Sequence, residues 1–335
     1  MNPICGAWTL AAPLDLIAST GSTRTGAADP TSFVRDGRVW RAAYYGSGPA
    51  ALAMWTVDST LYAQAWGAGA ADALASVPAA SGLADDARGF DPSHHPLVRE
   101  LAHRRPGVRL VRTEAIFDVA IRAALGQKVT GFQAKRSYQA LVRRAGVAAP
   151  LGCVAGRPLL LPPTPGALLR SLAGHGATSL GIDAARAATL RELALVAAHL
   201  ANLSLVPASN AASARSALQD IPGVGEWTAN EITVTALGDP DALSVGDYHL
   251  KNIVAFALTG APRGSDDQMV ALLEAFRPHR ARAARLIESS GIRPPRYGPR
   301  LEAPAHVPGP FVTSRGSSRG VAGRSPRSRS PRRAR

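Results

Sequence analysis

The chain has 335 residues, enough for two domains that each bury a core of their own. Lysine and arginine exceed aspartate and glutamate by 14, but eight of these charges are arginines within residues 312–335, which leaves six for the rest of the chain. This modest basic bias is compatible with a nucleic-acid partner without requiring one. With only Cys5 and Cys153, the chain has neither a disulfide framework nor a four-cysteine iron–sulfur cluster.

The N-terminus, MNPICGAWTLAAPLDL, lacks a basic region, and Pro13 and Asp15 interrupt its apolar run. We therefore expect no signal peptide. No uninterrupted apolar run approaches 18 residues, so we also expect no membrane span. These features predict a soluble cytoplasmic protein.

Residues 10–70 alternate between apolar and polar side chains as strands do, and Asp36-Gly37 is a hairpin-turn signal. The predicted strands are 14–17, 39–44, 51–57 and 61–66. Short helical pieces interrupted by prolines are expected over 70–102.

From Thr113 onward the pattern is helical, and nothing in it predicts a strand. Thr113 is the expected N-cap of a helix that ends near Gly126, and a Thr164-Pro165 pair is expected to start another helix. Further helices are predicted at 130–145, 183–203, 210–220, 247–258, 266–276 and 278–290. The result is a mostly helical, two-lobed body over about 100–295.

The end of the chain is different in composition. Residues 301–335 are rich in Pro, Gly, Ser and Arg and hold few apolar side chains, which predicts a disordered tail. Its arginines would add a salt-sensitive attraction to phosphates that does not depend on sequence.

The most informative stretch is 218–248, LQDIPGVGEWTANEITVTALGDPDALSVGDY. Its turn, Pro222-Gly223-Val224-Gly225, joins two predicted helices. The two glycines permit φ > 0 and a close approach of the backbone to a partner. The amide N–H groups that start the second helix form a ready anion site, suited to a phosphate. This is the pattern of a helix-hairpin-helix, and Asp247 follows Gly225 by 22 residues.

With PGVGEWTAN at 222–230, Asp247-Tyr248 and Lys251, the sequence resembles the helix-hairpin-helix DNA glycosylases, in the branch of bacterial 3-methyladenine DNA glycosylase II. The resemblance covers most of residues 10–300. It implies a mainly α fold, with a small α+β domain at 1–100 and a two-lobed helical glycosylase domain at 101–300. It also implies a monomer at the nucleoid that flips an alkylated, 3-methyladenine-like base out of double-stranded DNA and hydrolyses its N-glycosidic bond. No cofactor is required.

Asp247 is the expected catalytic residue by this resemblance. An aspartate before a helix is also an ordinary N-cap, and Lys251, four residues later, is its expected ion-pair partner. The two roles are compatible. An ionised carboxylate stabilises the positive charge that develops on the sugar, and it can orient the attacking water.

Trp227 stands where relatives that also cut the backbone carry a lysine that forms a Schiff base with the sugar. The resemblance therefore implies a monofunctional enzyme that leaves an abasic site. Trp227 is either a core residue or a wall of the base pocket beside Tyr248, where it would offer a π face to an electron-poor alkylated base.

Three further expectations concern DNA contacts. The backbone carbonyls of Gln219, Ile221 and Val224 are implied ligands of a monovalent cation, Na⁺ or K⁺, between hairpin and phosphate. Lys128 follows Gln127 where the relatives place an apolar wedge that fills the gap left by the flipped base. Lys128 either plugs that gap, holds a phosphate or is simply solvated. His249 is a candidate for contact with DNA or the pocket, and the histidine spacing predicts no zinc site.

Two departures from the family pattern leave the lesion open. Glu231 replaces a tyrosine and Glu288 replaces a pocket tryptophan. These carboxylates either attract a cationic base into the pocket or are solvated helix residues. One alternative is therefore a glycosylase for a deaminated or oxidised base. A second alternative is a non-catalytic damage-binding protein that uses the hairpin only as a phosphate clamp.

Overall fold

The computed structural model describes residues 2–295, and the predicted tail at 301–335 lies outside them. Up to Pro295 the chain forms one compact unit, and the domain boundary near residue 100 stays a prediction. An antiparallel sheet near the N-terminus has the order β1-β5-β4-β3-β2. Its strands are β1 (Ile4–Thr9), β2 (Ser32–Arg35), β3 (Arg38–Tyr45), β4 (Gly48–Val57) and β5 (Thr60–Trp66).

The helices follow in chain order around this sheet and beyond it. They are α1 (Leu16–Ser19), α2 (Ala70–Ala75), α3 (Val77–Ser81), α4 (Pro96–Arg104), α5 (Ile116–Gly126), α6 (Gly131–Ala145), α7 (Pro165–Ser171), α8 (Gly176–Ser179), α9 (Ala184–Leu195), α10 (Ala197–Leu203), α11 (Ala211–Gln219), α12 (Glu226–Ala236), α13 (Leu250–Thr259), α14 (Asp266–Leu273) and α15 (Arg280–Ser289). Within residues 2–295, none of them is long and apolar enough to cross a bilayer.

The hairpin between β2 and β3 turns at Asp36 and Gly37, whose φ angles are +51° and +70°. Both lie in the left-handed region that a two-residue hairpin turn needs, which confirms the predicted turn. The strands predicted at 39–44, 51–57 and 61–66 are confirmed as β3, β4 and β5. The strand predicted at 14–17 is wrong, because the Asp15 side chain accepts a bond from the Ala18 N–H and caps α1 instead.

The second face of the sheet is covered by a small hairpin formed much later in the sequence. Strands β6 (Ala148–Val154) and β7 (Arg157–Leu160) pair with each other. Leu159 and Leu161 share an apolar core with Phe33, Trp40 and Trp66. The expectation of no strand after residue 113 was therefore wrong.

The helical body has two apolar cores, which confirms the mainly α, two-lobed prediction. One core is built from α5 to α12, and the other from α4 and α13 to α15. Asn230 in α12 donates to the carbonyl of Leu243 at 2.8 Å and so ties the first lobe to the loop that leads into α13. The site described below lies along this junction.

Several helix ends agree with the sequence and two do not. Thr130 and Gln133 form a capping box at the start of α6, and Thr164 caps α7 as predicted. Thr113 is not the cap of α5, since α5 begins at Ile116 and the N–H of Thr113 donates to the carbonyl of Thr235. The helix predicted over 183–203 is divided at Val196 into α9 and α10.

Candidate active site and hairpin

The hairpin joins α11 to α12 through residues 220–225, and its apolar side chains point inward. Ile221 and Val224 are buried, and the Val224 N–H donates to the Ile221 carbonyl at 2.9 Å. Gly223 has a φ of +85°, and a Cβ there would lie 2.2 Å from the Thr189 hydroxyl oxygen. Only glycine fits this position. The expectation of a positive φ at Gly225 is wrong, since its φ is −88° and no atom lies within 4 Å of its ideal Cβ.

Gly225 is the N-cap of α12 and has no side chain to accept from the first turn. The backbone N–H groups that open a helix have no partner within the helix, so they are available to an external acceptor. Pro222, Gly223 and Gly225 are exposed, so an anion can approach this turn. The hairpin therefore has the geometry of a phosphate site built from backbone.

Asp247 is half-buried, and its two carboxylate oxygens have different partners. Oδ1 accepts from the N–H groups of His249 and Leu250, both at 2.7 Å, and so caps the start of α13. Oδ2 accepts from Trp227 Nε1 at 3.4 Å, a long bond that leaves this oxygen able to act on another group. The capping role and a catalytic role are thus compatible in one side chain.

Lys251 does not pair with Asp247, contrary to the prediction. Its ammonium binds Asp266 Oδ2 at 2.7 Å, while Asp266 Oδ1 accepts from the N–H of Gly246 at 2.8 Å. Burial alone would raise the pKa of the Asp266 carboxyl, but the bonds from Lys251 and Gly246 lower it below its usual value. The partner of Lys251 belongs to a different helix, α14, which the spacing of residues 247 and 251 does not reveal.

The structure brings Trp227 to Asp247 and leaves Tyr248 outside this contact. The Trp227 ring packs against Gly126, where an added Cβ would lie 3.0 Å from the ring. The side chain of Tyr248 is 77% exposed and meets His249 edge-on, with ring centroids 5.0 Å apart. A pocket wall made jointly by Trp227 and Tyr248 is therefore not present in this arrangement.

Glu231 and Glu288 line the same small cavity as Asp247, a space of about 30 Å³. The Ser244 hydroxyl donates to Glu231, and the Arg285 guanidinium lies 3.3 Å from a Glu288 oxygen. Burial raises the pKa of the Glu231 carboxyl, although Arg285 and the bond from Ser244 oppose the rise. The two glutamates are therefore neighbours of Asp247.

A larger cleft of about 470 Å³ adjoins this cavity and shares Val234, Arg285 and Glu288 with it. It is also lined by the basic side chains Arg109, Lys135, Arg282 and Arg293, of which Arg282 is buried and paired with Asp85. A cleft of this volume falls within the range of about 300–1,000 Å³ that small-molecule sites occupy. The small cavity at Asp247 has room for about one water molecule.

The turn between α5 and α6 is tied to the hairpin by Gln127. Its side-chain amide donates to the carbonyl of Gly223 at 2.8 Å and to the Thr228 hydroxyl at 2.9 Å. Lys128 is exposed beside it with a φ of +54°. A groove of about 640 Å³ separates this turn from the hairpin, and Gln127, Lys128, Gly223 and Trp227 all line it. The wedge candidate and the phosphate site thus face the same groove.

Sequence reasoning missed four residues here, namely Gln127, Ser244, Asp266 and Arg285. Gln127 offered a signal, because it adjoins the wedge candidate. Arg285 lies in an arginine-rich run, RPHRARAARL, and nothing in the sequence singles it out.

A monovalent cation was predicted at the carbonyls of Gln219, Ile221 and Val224. The Ile221 oxygen already accepts one hydrogen bond and keeps a second lone pair. Within residues 2–295, no cluster of three or more His, Cys, Asp or Glu side chains could hold a metal ion.

No family model matches the sequence. A probable bifunctional transcriptional activator/DNA repair enzyme AlkA from Mycobacterium tuberculosis is 34% identical over 168 residues, which is 50% of this chain. The matched segment spans only 31% of that protein, which is about a third of its length.

Two solved structures resemble the whole described body. A 3-methyladenine DNA glycosylase from Archaeoglobus fulgidus has a TM-score of 0.72 at 16% identity and covers 86% of this chain and 99% of its own. An 8-oxoguanine glycosylase/lyase from Clostridium acetobutylicum has a TM-score of 0.64 at 14% identity and covers 85% of this chain and 95% of its own. The fold expected from the hairpin and Asp247 is confirmed by these likenesses.

Proposed function

We propose that this chain, which has the fold of the helix-hairpin-helix DNA glycosylases, is a DNA glycosylase of base excision repair. The observation that carries the proposal is the orientation of Asp247. Two backbone N–H groups fix one of its oxygens, and the other oxygen stays available beside a water-sized cavity. A phosphate clamp alone would have no use for a carboxylate held in this way, since its charge repels phosphates.

The hairpin supplies the contact with double-stranded DNA. The unpaired N–H groups at the start of α12 bind a backbone phosphate, and the exposed side chains of Lys135 and Arg293 at the larger cleft add attraction that falls with salt. Lys128 occupies the space left by the flipped nucleotide. A Na⁺ or K⁺ ion held by the carbonyls of Gln219, Ile221 and Val224 would bridge hairpin and phosphate. We propose that the protein acts as a monomer at the nucleoid.

The flipped base enters the larger cleft, and Asp247 faces the sugar. As the N-glycosidic bond lengthens, positive charge develops on the sugar ring, and the ionised Asp247 carboxylate stabilises it. Oδ2 also orients the attacking water, for which the small cavity has room. Water adds to the sugar carbon, the base leaves, and an abasic site remains.

We further propose that the enzyme is monofunctional and removes alkylated purines. A lyase step needs an unprotonated amine at the sugar, and the indole of Trp227 cannot supply one. The Lys251 ammonium is bound to Asp266 instead. The carboxylates of Glu231, Asp247 and Glu288 surround a single guanidinium, that of Arg285, so the net negative charge of this cluster favours a cationic base, such as an N-alkylated purine, in the larger cleft beside it.

A second candidate has a specific observation in its favour. Ser244, Glu231, Arg285 and Glu288 form a polar wall where the family pattern has aromatic side chains. Such a wall can hydrogen-bond the edge of a neutral deaminated or oxidised base. The candidate is a glycosylase with the same Asp247 chemistry and a different lesion.

The test is a panel of duplexes, each with one 3-methyladenine-like, 7-methylguanine, hypoxanthine, uracil or 8-oxoguanine base. We expect release of the alkylated purines, with strands that stay intact until alkali is added and no adduct trapped by borohydride. Preferred release of a neutral lesion would support the second candidate. Strand cleavage with a trapped adduct would overturn the monofunctional assignment. Tight lesion binding without release of any base would show a damage-binding protein instead.

A further inference from the structure

One carboxylate, that of Asp266, holds both flanks of Asp247. On the side before Asp247, the Gly246 N–H donates to Asp266 Oδ1 at 2.8 Å. On the side after it, the Lys251 ammonium donates to Asp266 Oδ2 at 2.7 Å from the first turn of α13. The bridging side chain is 29% exposed and comes from the first residue of another helix, α14.

The start of α14 is itself fixed closely against α13. The Gly264 N–H donates to the Asn252 side chain at 3.0 Å. A Cβ on Gly264 would lie 2.6 Å from the Ala255 Cβ and 2.9 Å from the Lys251 carbonyl oxygen, so the two segments are in close contact there. Ser265 caps α14 through a capping box with Gln268. Asp266 therefore has little freedom to leave its two partners.

We infer that Asp266 is a positioning residue for Asp247, which it serves by anchoring Gly246 and by keeping the Lys251 ammonium away from the catalytic carboxylate. The inference rests on the proposed function of Asp247. Gly246 has a φ of +90°, one of several conformations open to glycine, and its bond to Asp266 helps to select this one just before Asp247. Lys251 lies in the turn of α13 that Asp247 caps, which puts its flexible side chain within reach of Asp247.

The consequence for chemistry follows from charge. If Asp266 lost its charge, Lys251 would lose its ion-pair partner, and Asp247, four residues before it, is a carboxylate to which it could turn. An ammonium bound to Asp247 would neutralise part of the charge that faces the sugar, and it would occupy the Oδ2 position that otherwise orients water. Asp266 thus keeps the Lys251 ammonium from pairing with the Asp247 carboxylate.

Three variants separate this role from a merely structural one: Asp266→Asn, Lys251→Met and the double variant. In Asp266→Asn the amide oxygen still accepts from Gly246, so only the hold on Lys251 is lost. Single-turnover excision should slow by about 10-fold to 100-fold, which is the worth of a hydrogen bond to a charged group. Binding to undamaged DNA should change by less than about 2-fold, since no phosphate contact is altered.

The rescue is the decisive measurement. Lys251→Met alone should excise within about 3-fold of the unsubstituted rate, because Asp266 still anchors Gly246. The double variant should recover to the same level, because no ammonium remains to bind Asp247. If the ion pair were only structural, removing Lys251 in addition to the Asp266 charge would not restore the excision rate. Unchanged excision in Asp266→Asn, or a double variant as slow as Asp266→Asn, would overturn the inference.

A measurement that does not depend on excision keeps this test separate from that of the proposed function. The chain has lysines only at 128, 135 and 251, so reductive methylation with ¹³C-formaldehyde gives few side-chain NMR signals. In the otherwise unsubstituted protein, Asp247→Asn should leave the chemical shift of the Lys251 methyl groups unchanged. In the Asp266→Asn background, the same substitution should change that chemical shift. A response in the otherwise unsubstituted protein, or none in either background, would contradict the inference even if the protein released no base.

Discussion

The start and the middle of α12 have different roles and contact different parts of the chain. At its N-terminus the hairpin presents backbone N–H groups, and its apolar side chains, Ile221 and Val224, are turned inward. One and a half turns further on, Glu231 joins a cluster of charged side chains around Asp247. At the start of α12 the backbone conformation matters and side-chain identity matters little, whereas around Glu231, in the middle of the helix, each ionisable group matters. We expect contact with DNA and excision to be separable along this one helix.

The largest test of the separation is Asp247→Asn. Excision should fall by about 10²–10⁴-fold, the combined size of typical electrostatic and acid–base contributions. Binding to DNA should stay the same or tighten, because a negative charge near the phosphates is removed. Single-turnover excision and a binding titration on the same preparation measure both. Asp267→Asn, at an exposed neighbour of Asp266, is the control. Near-normal excision by Asp247→Asn would refute the assignment.

The hairpin end is tested by a pair of glycine variants. Gly223→Ala places a Cβ at a positive φ and 2.2 Å from Thr189, so it should lower the free energy of unfolding by about 1–3 kcal/mol and weaken DNA binding. Gly225→Val has open space and an ordinary φ, so the protein should keep its stability. Its binding to damaged and undamaged duplexes should weaken alike, by about 10-fold, through crowding of the phosphate.

Fluorescence anisotropy with both duplexes and urea unfolding distinguish the two variants. A loss of affinity confined to lesion-bearing DNA in Gly225→Val would place the turn in the pocket and end the separation proposed for α12.

Trp227 lies in the first turn of α12 and contacts Asp247, and its substitution should have a smaller effect. Trp227→Phe keeps an aromatic side chain but removes the donor of a 3.4 Å bond to Asp247 and the outer edge of the indole that lies against Gly126. Excision should slow by about 3-fold to 10-fold, as expected for one hydrogen bond, with DNA binding unchanged. Single-turnover kinetics measure the change. A loss as large as that of Asp247→Asn would mean that the indole N–H itself acts in catalysis.

The smallest expected effect concerns Glu231 and pH. Burial raises the pKa of this carboxyl above its usual value of 4.5, so the folded protein holds the proton more tightly than the unfolded chain does. The stability that Glu231 contributes is therefore present at low pH and is lost as the pH rises from about 4.5 through the raised pKa. Glu231→Gln should remove this decline.

Urea unfolding at pH 4 and pH 8 measures the difference. The difference in free energy of unfolding between Glu231→Gln and the parent should shift in favour of the variant from pH 4 to pH 8. Asp267→Asn should show no such shift. If the Gln variant were instead less stable than the parent at pH 8 compared with pH 4, Glu231 would be stabilised as a carboxylate by Arg285. The side chains around Asp247 would then all be ionised.

The sequence predicted what depends on neighbours along the chain. Gly223 marks a turn because its φ requirement is local, and the Asp36-Gly37 hairpin is local for the same reason. Asp247 and Trp227 were found by their spacing from that turn. Their contact through the indole N–H depends on the packing of two elements and is not encoded in the spacing.

The errors have the opposite origin. Lys251 was assigned to the carboxylate four residues away, whereas its partner comes from α14, beyond a loop. Strands β6 and β7 were missed because Pro150, Gly152 and Pro158 interrupt any strand pattern. Contacts with the distant N-terminal sheet, which the local sequence does not reveal, stabilise them there. Residues 14–17 satisfy both a strand pattern and a helix cap, and the Asp15 side chain decided between them.

The late hairpin of β6 and β7 has a consequence for the order in which the protein can fold. Phe33 and Trp40 are translated early, yet Leu159 and Leu161, which complete their core, leave the ribosome only after α5 and α6 have been made. Gly67, just after β5, lies close against Pro150 in β6, since a Cβ on Gly67 would lie 2.5 Å from the Pro150 ring. The N-terminal sheet therefore keeps an aromatic face open to water during much of synthesis. The nascent chain is most prone to aggregate in that interval, and a chaperone that covers this face would act then.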